Sequence, residues 1–115
     1  MHIRVVKMRV TYLIIYDITN DQIRNRLAEK LECYGLERIQ YSAFMGKLRR
    51  YRIHSLIEDI KRILETTKPK LGEKRNVQIY PLYETNLKNR IIIDASKGKA
   101  TIHAATKEER KIRIL

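Results

Sequence analysis

The chain contains one cysteine, no tryptophan, one phenylalanine, two prolines and four glycines among its 115 residues. Cys33 cannot close an internal disulfide, so the fold must hold without covalent staples, as suits a reducing, cytoplasmic compartment. Three scattered histidines and no Cys or His pair at ligand spacing argue against zinc. Glycines 35, 46, 72 and 98 stand alone, so no Gly-rich loop cradles a phosphate. No apolar run approaches the ~20 residues a bilayer span needs. The first seven residues have neither the apolar core nor the cleavage site of a secretory signal. A membrane-free cytoplasmic protein is expected. Acidic residues are also scarce: 13 Asp and Glu stand against 25 Lys and Arg, giving +12. That excess calls for an anionic partner, nucleic acid first.

Apolar residues at 43% allow a globular core, and a chain of roughly 100–200 residues usually forms one domain. Val10 to Tyr16 is β-branched, aromatic and apolar on both alternating faces, which predicts a buried central strand ending at Asp17. Thr19-Asn20-Asp21-Gln22 has the spacing of a capping box with Thr19 as the cap. Ile23, Leu27, Ala28, Leu31 and Tyr34 then follow one helical face, and Gly35 stands where a left-handed helix terminator belongs. Leu36 to Leu48 suits extended structure, either one long bent strand or two short ones.

Ile53, Leu56, Ile57, Ile60, Ile63 and Leu64 recur at helical spacing and predict an amphipathic second helix, with Glu58 and Arg62 placed four apart for a weak pair. Thr66 to Arg75 reads as a solvated loop and Asn76 to Tyr80 as a strand. Pro81 removes a ladder donor, so that strand belongs at a sheet edge. Ile91 to Ile93 predicts a trailing strand after a turn near 86–89. Beyond Asp94 the chain is polar and basic without a period. The order β-α-β-β-α-β with two helices is that of a ferredoxin-like α+β sandwich. Two helices cover one face of a four-stranded sheet; because both faces of the first strand are apolar, a second copy is expected on the other.

Asp17 is the first candidate for chemistry. A carboxylate at the end of a buried strand must be paired, solvated or metal-bound. Turn chemistry is the plain alternative, weakened if Thr19 and Gln22 already cap the helix. One carboxylate holds Mg²⁺ weakly, but two from a symmetric dimer, completed by phosphate oxygens and water, would suffice. Arg24 and Arg26 diverge by about 200° on their helix, so they cannot follow one straight phosphate line. Phe44 is either core or a base-stacking platform, and His54 is read as structural. The charge is unevenly spread: +3 over residues 1–9, +4 over 47–52 (Lys47, Arg49, Arg50, Arg52), +3 over 68–75 and +4 over 97–115. Residues 10–46, around Asp17, sum to −1. The basic excess thus belongs to the tails and two connecting stretches.

Tyr16-Asp17-Ile18 closing an apolar strand, continued by Thr19, Asp21 and Arg24-Asn25-Arg26, resembles the signature of the small CRISPR-associated protein that partners the CRISPR integrase. Gly35 to Gly46 (Gly-Leu-Glu-Arg-Ile-Gln-Tyr-Ser-Ala-Phe-Met-Gly) is similar to that family's second motif, and the resemblance runs over about residues 9–94. Ala43 departs from it, standing where a larger β-branched residue is common. The first eight residues precede the family's usual start, which makes Met8 an alternative initiator.

The resemblance implies a ferredoxin-like homodimer whose additional C-terminal strand is exchanged with the neighbouring subunit, followed by a basic tail over 95–115. It implies an endonuclease dependent on Mg²⁺ or another divalent cation such as Mn²⁺, acting on single-stranded RNA or double-stranded DNA. Asp17 would be the metal ligand. Tyr16, Arg24, Arg26, Arg38, Ser42 and Phe44 would complete the catalytic set. Integrase dimers would be partners in spacer acquisition. The alternative is a non-catalytic nucleic-acid scaffold, for which Lys47, Arg49, Arg50 and Arg52 suffice.

Overall fold

A computed structural model describes residues 9–104. Of the basic runs counted over residues 1–9 and 97–115, residues 1–8 and 105–115 lie outside the described residues, Met8 among them. Strand β1 (Arg9–Ile18) is followed by helix α1 (Asp21–Cys33), strands β2 (Glu37–Gln40) and β3 (Ala43–Arg49), helix α2 (Arg50–Leu64) and strand β4 (Arg75–Leu82). These strands form one sheet in the order β2-β3-β1-β4, which is the ferredoxin-like βαββαβ arrangement. β1 is central and β4, carrying Pro81, is an edge strand. The β1–β3 and β2–β3 ladders are antiparallel. The Thr19 N–H donates to the Lys74 carbonyl at 3.0 Å, so β4 starts beside the end of β1 and runs back along it.

The alternation of β1 decides where the core lies. Tyr12, Ile14, Tyr16 and Ile18 are buried on one face, against Ile23, Leu27 and Leu31 of α1 and Ile53, Leu56 and Ile60 of α2. Phe44 and Leu48 of β3 join them. Leu13 and Ile15 point to the other face and are only half-buried. Ile57 proves exposed, while Ile63 and Leu64 pack on the core margin. His54 is exposed rather than part of that packing.

Several local expectations are corrected. Helix α1 is capped by Asn20, whose side-chain oxygen accepts from the Ile23 N–H at 3.0 Å. Thr19 cannot serve, because its hydroxyl accepts the Lys74 N–H at 2.9 Å and thereby fastens β4 to β1. β1 also continues past Asp17 to the buried Ile18. At the other end of α1, Gly35 at φ +87° makes the expected reversal. Its N–H donates to Glu32 and that of Leu36 to Leu31, the paired bonds of a Schellman stop.

The extended segment is two strands joined at Tyr41–Ser42, with a register shift between Arg38 and Gln40. The 47–52 stretch is not a connection: β3 passes directly into α2 at Arg49–Arg50. On α2 the ion pairs are Arg62–Asp59 at 2.9 Å and Lys61–Glu58 at 3.8 Å, so Arg62 takes Asp59 rather than Glu58.

The chain divides into two compact units at Pro81–Leu82. The second holds the short helix α3 (Glu84–Lys88), read in sequence as a turn, and strands β5 (Ile91–Asp94) and β6 (Thr101–Ala104) paired antiparallel. β6 falls within the segment read as a basic tail; with one isoleucine in Thr-Ile-His-Ala it is too short to show a period. Ile91, Ile92, Ile93 and Ile102 are all exposed on this two-stranded ribbon.

Candidate functional site

Four of the predicted arginines and aromatics, Tyr16, Arg24, Arg38 and Phe44, meet at the end of β1, on its helix-covered face. Tyr16 is buried there, and its hydroxyl donates to the Tyr41 carbonyl at 3.3 Å. Arg38 donates to the same carbonyl. The Arg38 guanidinium also lies 4.9 Å from the centroid of Phe44, whose ring stands 6.3 Å from that of Tyr16. Arg24 reaches back from α1 to the Ile18 carbonyl at 3.0 Å and pairs with Asp21. Arg24 and Arg38 lie 5.7 and 5.8 Å from the centroid of Tyr41, so two cations attend one exposed ring. Burial pushes the Tyr16 phenol up, against the opposing pull of Arg38 and Arg24. Tyr16 therefore keeps its proton at neutral pH and acts as a donor, not as a base.

Ser42 and Phe44 belong to the same strand end as backbone and core, and only Arg26 lies apart. Ser42 contributes its carbonyl, which accepts the Tyr16 N–H at 3.0 Å. Phe44 is 0% exposed, so it is core and not a stacking platform; its neighbours in the sheet and both helices leave no face for a base. Arg26 points away from Arg24, donating to the Thr66 hydroxyl at 3.3 Å. There it lines a cavity of about 560 Å³ with Asn20, Asn25, Glu29 and Thr67.

Asp17 stands at the same end of β1 but on the open face, with its side chain 68% exposed and Lys74 Nζ at 3.6 Å. No group of three or more His, Cys, Asp or Glu able to hold a metal occurs among the described residues. An exposed carboxylate is nevertheless the hard oxygen donor that Mg²⁺ takes, commonly one or two per ion with water and phosphate oxygens completing the shell. Asp17 fits as one such donor in a shared site, not as a cage.

The residues 47–52 assemble at the opposite end of β1. Arg49 faces Arg9 and Lys47 faces Thr11 in the β1–β3 ladder. With Arg52 they line a pocket of about 290 Å³, while Arg50 is exposed at the start of α2. Rising roughly 3.3 Å per residue, β1 separates this pocket from Asp17 by roughly 25 Å.

Sequence reasoning missed two residues. Tyr41 has a signal only in three dimensions, since Arg24 and Arg38 reach it from different elements. Lys74 was visible solely as one charge of the 68–75 run, and the β1–β4 junction makes it the neighbour of Asp17.

Residues 8–90 match the family described as CRISPR associated protein Cas2. The chain is 47% identical over 51 residues to a protein of Pyrobaculum aerophilum named CRISPR-associated endoribonuclease Cas2 2, covering 44% of this chain and 56% of that one. It is 39% identical over 82 residues to a Chloroflexus aurantiacus protein of the same name, covering 71% and 89%. A Thermoproteus tenax protein named a CRISPR-associated endonuclease Cas1/endonuclease Cas2 fusion is 40% identical over 50 residues, covering 44% of this chain and 19% of that protein. Among solved structures, a hypothetical protein TT1823 from Thermus thermophilus is similar with a TM-score of 0.55 at 32% identity, covering 66% of this chain and 84% of that one.

Proposed function

The chain belongs to the CRISPR-associated Cas2 family, and from that premise we propose that it is a CRISPR adaptation protein that binds nucleic acid and cuts phosphodiester bonds as a divalent-metal-dependent endonuclease. The observation that carries this reading is Asp17, an exposed carboxylate projecting from the end of a buried central strand. The names of the relatives, endoribonucleases in Pyrobaculum and Chloroflexus, agree with it.

Asp17 would hold Mg²⁺, or Mn²⁺, together with its counterpart in a second copy. When bound, the ion would polarise a phosphate and lower the pKa of a coordinated water. Within the chain, Tyr16 and Arg38 fix the Tyr41 carbonyl, and Arg24 fixes the end of β1, so the strand end that presents Asp17 is held from the other face of the sheet. The half-buried Leu13 and Ile15 suit a homodimer. The exposed isoleucines of β5 and β6 suit exchange of that segment with a neighbour's sheet edge. The Thermoproteus relative, named as a fusion of endonuclease Cas1 with endonuclease Cas2, favours a Cas1 protein as partner, the integrase role resting on the resemblance above.

The test is cleavage of a single-stranded RNA and of a duplex DNA by purified protein. Activity should require a divalent cation and fall to the EDTA level in Asp17→Asn. Unchanged cleavage by that variant removes Asp17 from the mechanism.

One observation favours a second reading, a scaffold without catalysis: the basic pocket lies at the far end of β1 from Asp17. Spacer integration with the cognate integrase should then survive Asp17→Asn and fail when Arg49, Arg50 and Arg52 are neutralised together.

A further inference from the structure

At the junction of β3 and α2 the charges are arranged against the interest of folding. Arg49 stands directly opposite Arg9 in the β1–β3 ladder, a like-charge pairing that destabilises a sheet. The first turn of α2 carries Arg50 and Arg52 and no acidic residue, the reverse of what a helix dipole favours. Both costs are offset if an anion sits between these groups. Of these, Arg9, Arg49 and Arg52 line one pocket of about 290 Å³ together with Lys47, Tyr34 and Tyr51, while Arg50 stands outside it. No carboxylate is among the described residues lining it.

Two aromatic rings give the pocket a direction. Arg52 lies 4.5 Å from the centroid of Tyr34, a cation–π contact that holds the guanidinium in place. Tyr34 is itself anchored, donating to Asp59 at 2.6 Å and lying 2.8 Å from the Ser55 hydroxyl. Tyr51 is 66% exposed beside this fixed cationic cluster. A phosphate cradle next to an open aromatic ring is the combination that grips a single strand, where phosphates meet the cations and an unpaired base stacks on the ring. A duplex keeps its bases stacked inside and offers the ring nothing.

The geometry points to a second nucleic-acid site on this chain, separate from Asp17: a pocket at the β3–α2 junction that binds a single polynucleotide strand, its backbone phosphate on Arg9, Lys47, Arg49 and Arg52 and an adjacent base on Tyr51. This rests on the nucleic-acid-binding reading above and assigns to that surface the kind of strand it takes.

The test is equilibrium binding by fluorescence anisotropy in EDTA, so that no strand is cut. The probes are oligouridine RNA, oligothymidine DNA and a mixed-sequence DNA duplex, each of about twelve nucleotides or base pairs, near one binding module's site size. Tyr51→Ala should weaken binding of the single strands roughly 5- to 150-fold, as loss of one base–aromatic stack does, and leave the duplex within about twofold. Tyr51→Phe, which keeps the ring, should restore single-strand binding. Arg49→Gln should reduce the salt dependence of single-strand binding by about 0.7 in the log–log slope. Equal loss on duplex and single strand in Tyr51→Ala, or no loss on either, overturns the stacking assignment. An unchanged slope in Arg49→Gln overturns the phosphate pocket. Wild-type protein that binds none of the three probes overturns the nucleic-acid reading itself, an outcome distinct from the other two.

Discussion

Tyr16 and Asp17 are adjacent in sequence and stand on opposite faces of the sheet. The Tyr16 hydroxyl donates to the Tyr41 carbonyl beneath the helices, while the Asp17 carboxylate is exposed 3.6 Å from Lys74. The two should therefore separate by experiment. Tyr16→Phe keeps the buried ring and loses one hydrogen bond, an expected cost of about 0.5–1.5 kcal/mol in urea denaturation. Asp17→Asn removes an exposed charge and should leave stability within about 0.5 kcal/mol while abolishing metal-dependent cleavage. If both variants lose stability alike, the division of the strand into an anchoring and a reacting face is wrong.

Gly46 is demanded by a close approach rather than by its backbone angle. A Cβ built there meets Leu36 Cδ2 at 2.7 Å and Leu36 Cα at 3.2 Å. The side chain could turn aside, but the backbone follows the Gly35 reversal and cannot yield freely. Gly46→Ala should cost about 1–3 kcal/mol, the usual penalty of overpacking. In a Leu36→Ala background, itself costly because Leu36 is buried, the added cost of Gly46→Ala should shrink without vanishing. A thermodynamic double-mutant cycle by chemical denaturation measures that coupling.

The cap of α1 gives a sharper discrimination between two neighbouring residues. Asn20→Ala should cost about 1 kcal/mol, because its oxygen satisfies the Ile23 N–H. Gln22→Ala should stay within about 0.5 kcal/mol, since the capping box it would complete is not formed. A larger loss in Gln22→Ala than in Asn20→Ala restores the capping box.

Why Thr19 misled is instructive about what a sequence carries. Periodicity is local, so the helical faces of Ile23–Leu31 and Ile53–Ile60, the central strand at 10–16 and the glycine stop at 35 were all legible. Thr19 has equally good local credentials as a cap, and a partner 55 residues away in sequence, Lys74, takes its hydroxyl instead. The same logic covers Phe44. Composition could not tell a buried ring from a stacking ring, and only the closure of the sheet against the helices decides. Asp17 was legible as an anomaly, a carboxylate in an apolar strand. Tyr41 was not, because its significance lies in two arginines that converge on it from α1 and β2.

Arg75 closes the ferredoxin-like unit in a way that makes its stability depend on acid. Its guanidinium donates to the Leu64 carbonyl at 2.7 Å and the Thr67 hydroxyl at 3.0 Å, and pairs with Glu73. The start of β4 is thereby tied to the end of α2 through one side chain. The Arg75 hydrogen bond, followed by that of the Lys70 N–H, holds the Glu73 carboxyl below its ordinary value of 4.5. A carboxylate whose pKa is depressed by folding stabilises the native state fully above the unfolded value, and that stabilisation is lost as pH falls through the folded one. The wild-type urea midpoint should accordingly drop between pH 7 and about pH 3 by more than that of Glu73→Gln, whose amide does not titrate. Because every other carboxylate titrates in both proteins, the difference between the two curves isolates Glu73. As the pH falls far enough to protonate Glu73 in the folded protein, the two proteins should converge. Parallel curves across the whole range would mean that the Glu73–Arg75 pair contributes nothing to closing the fold.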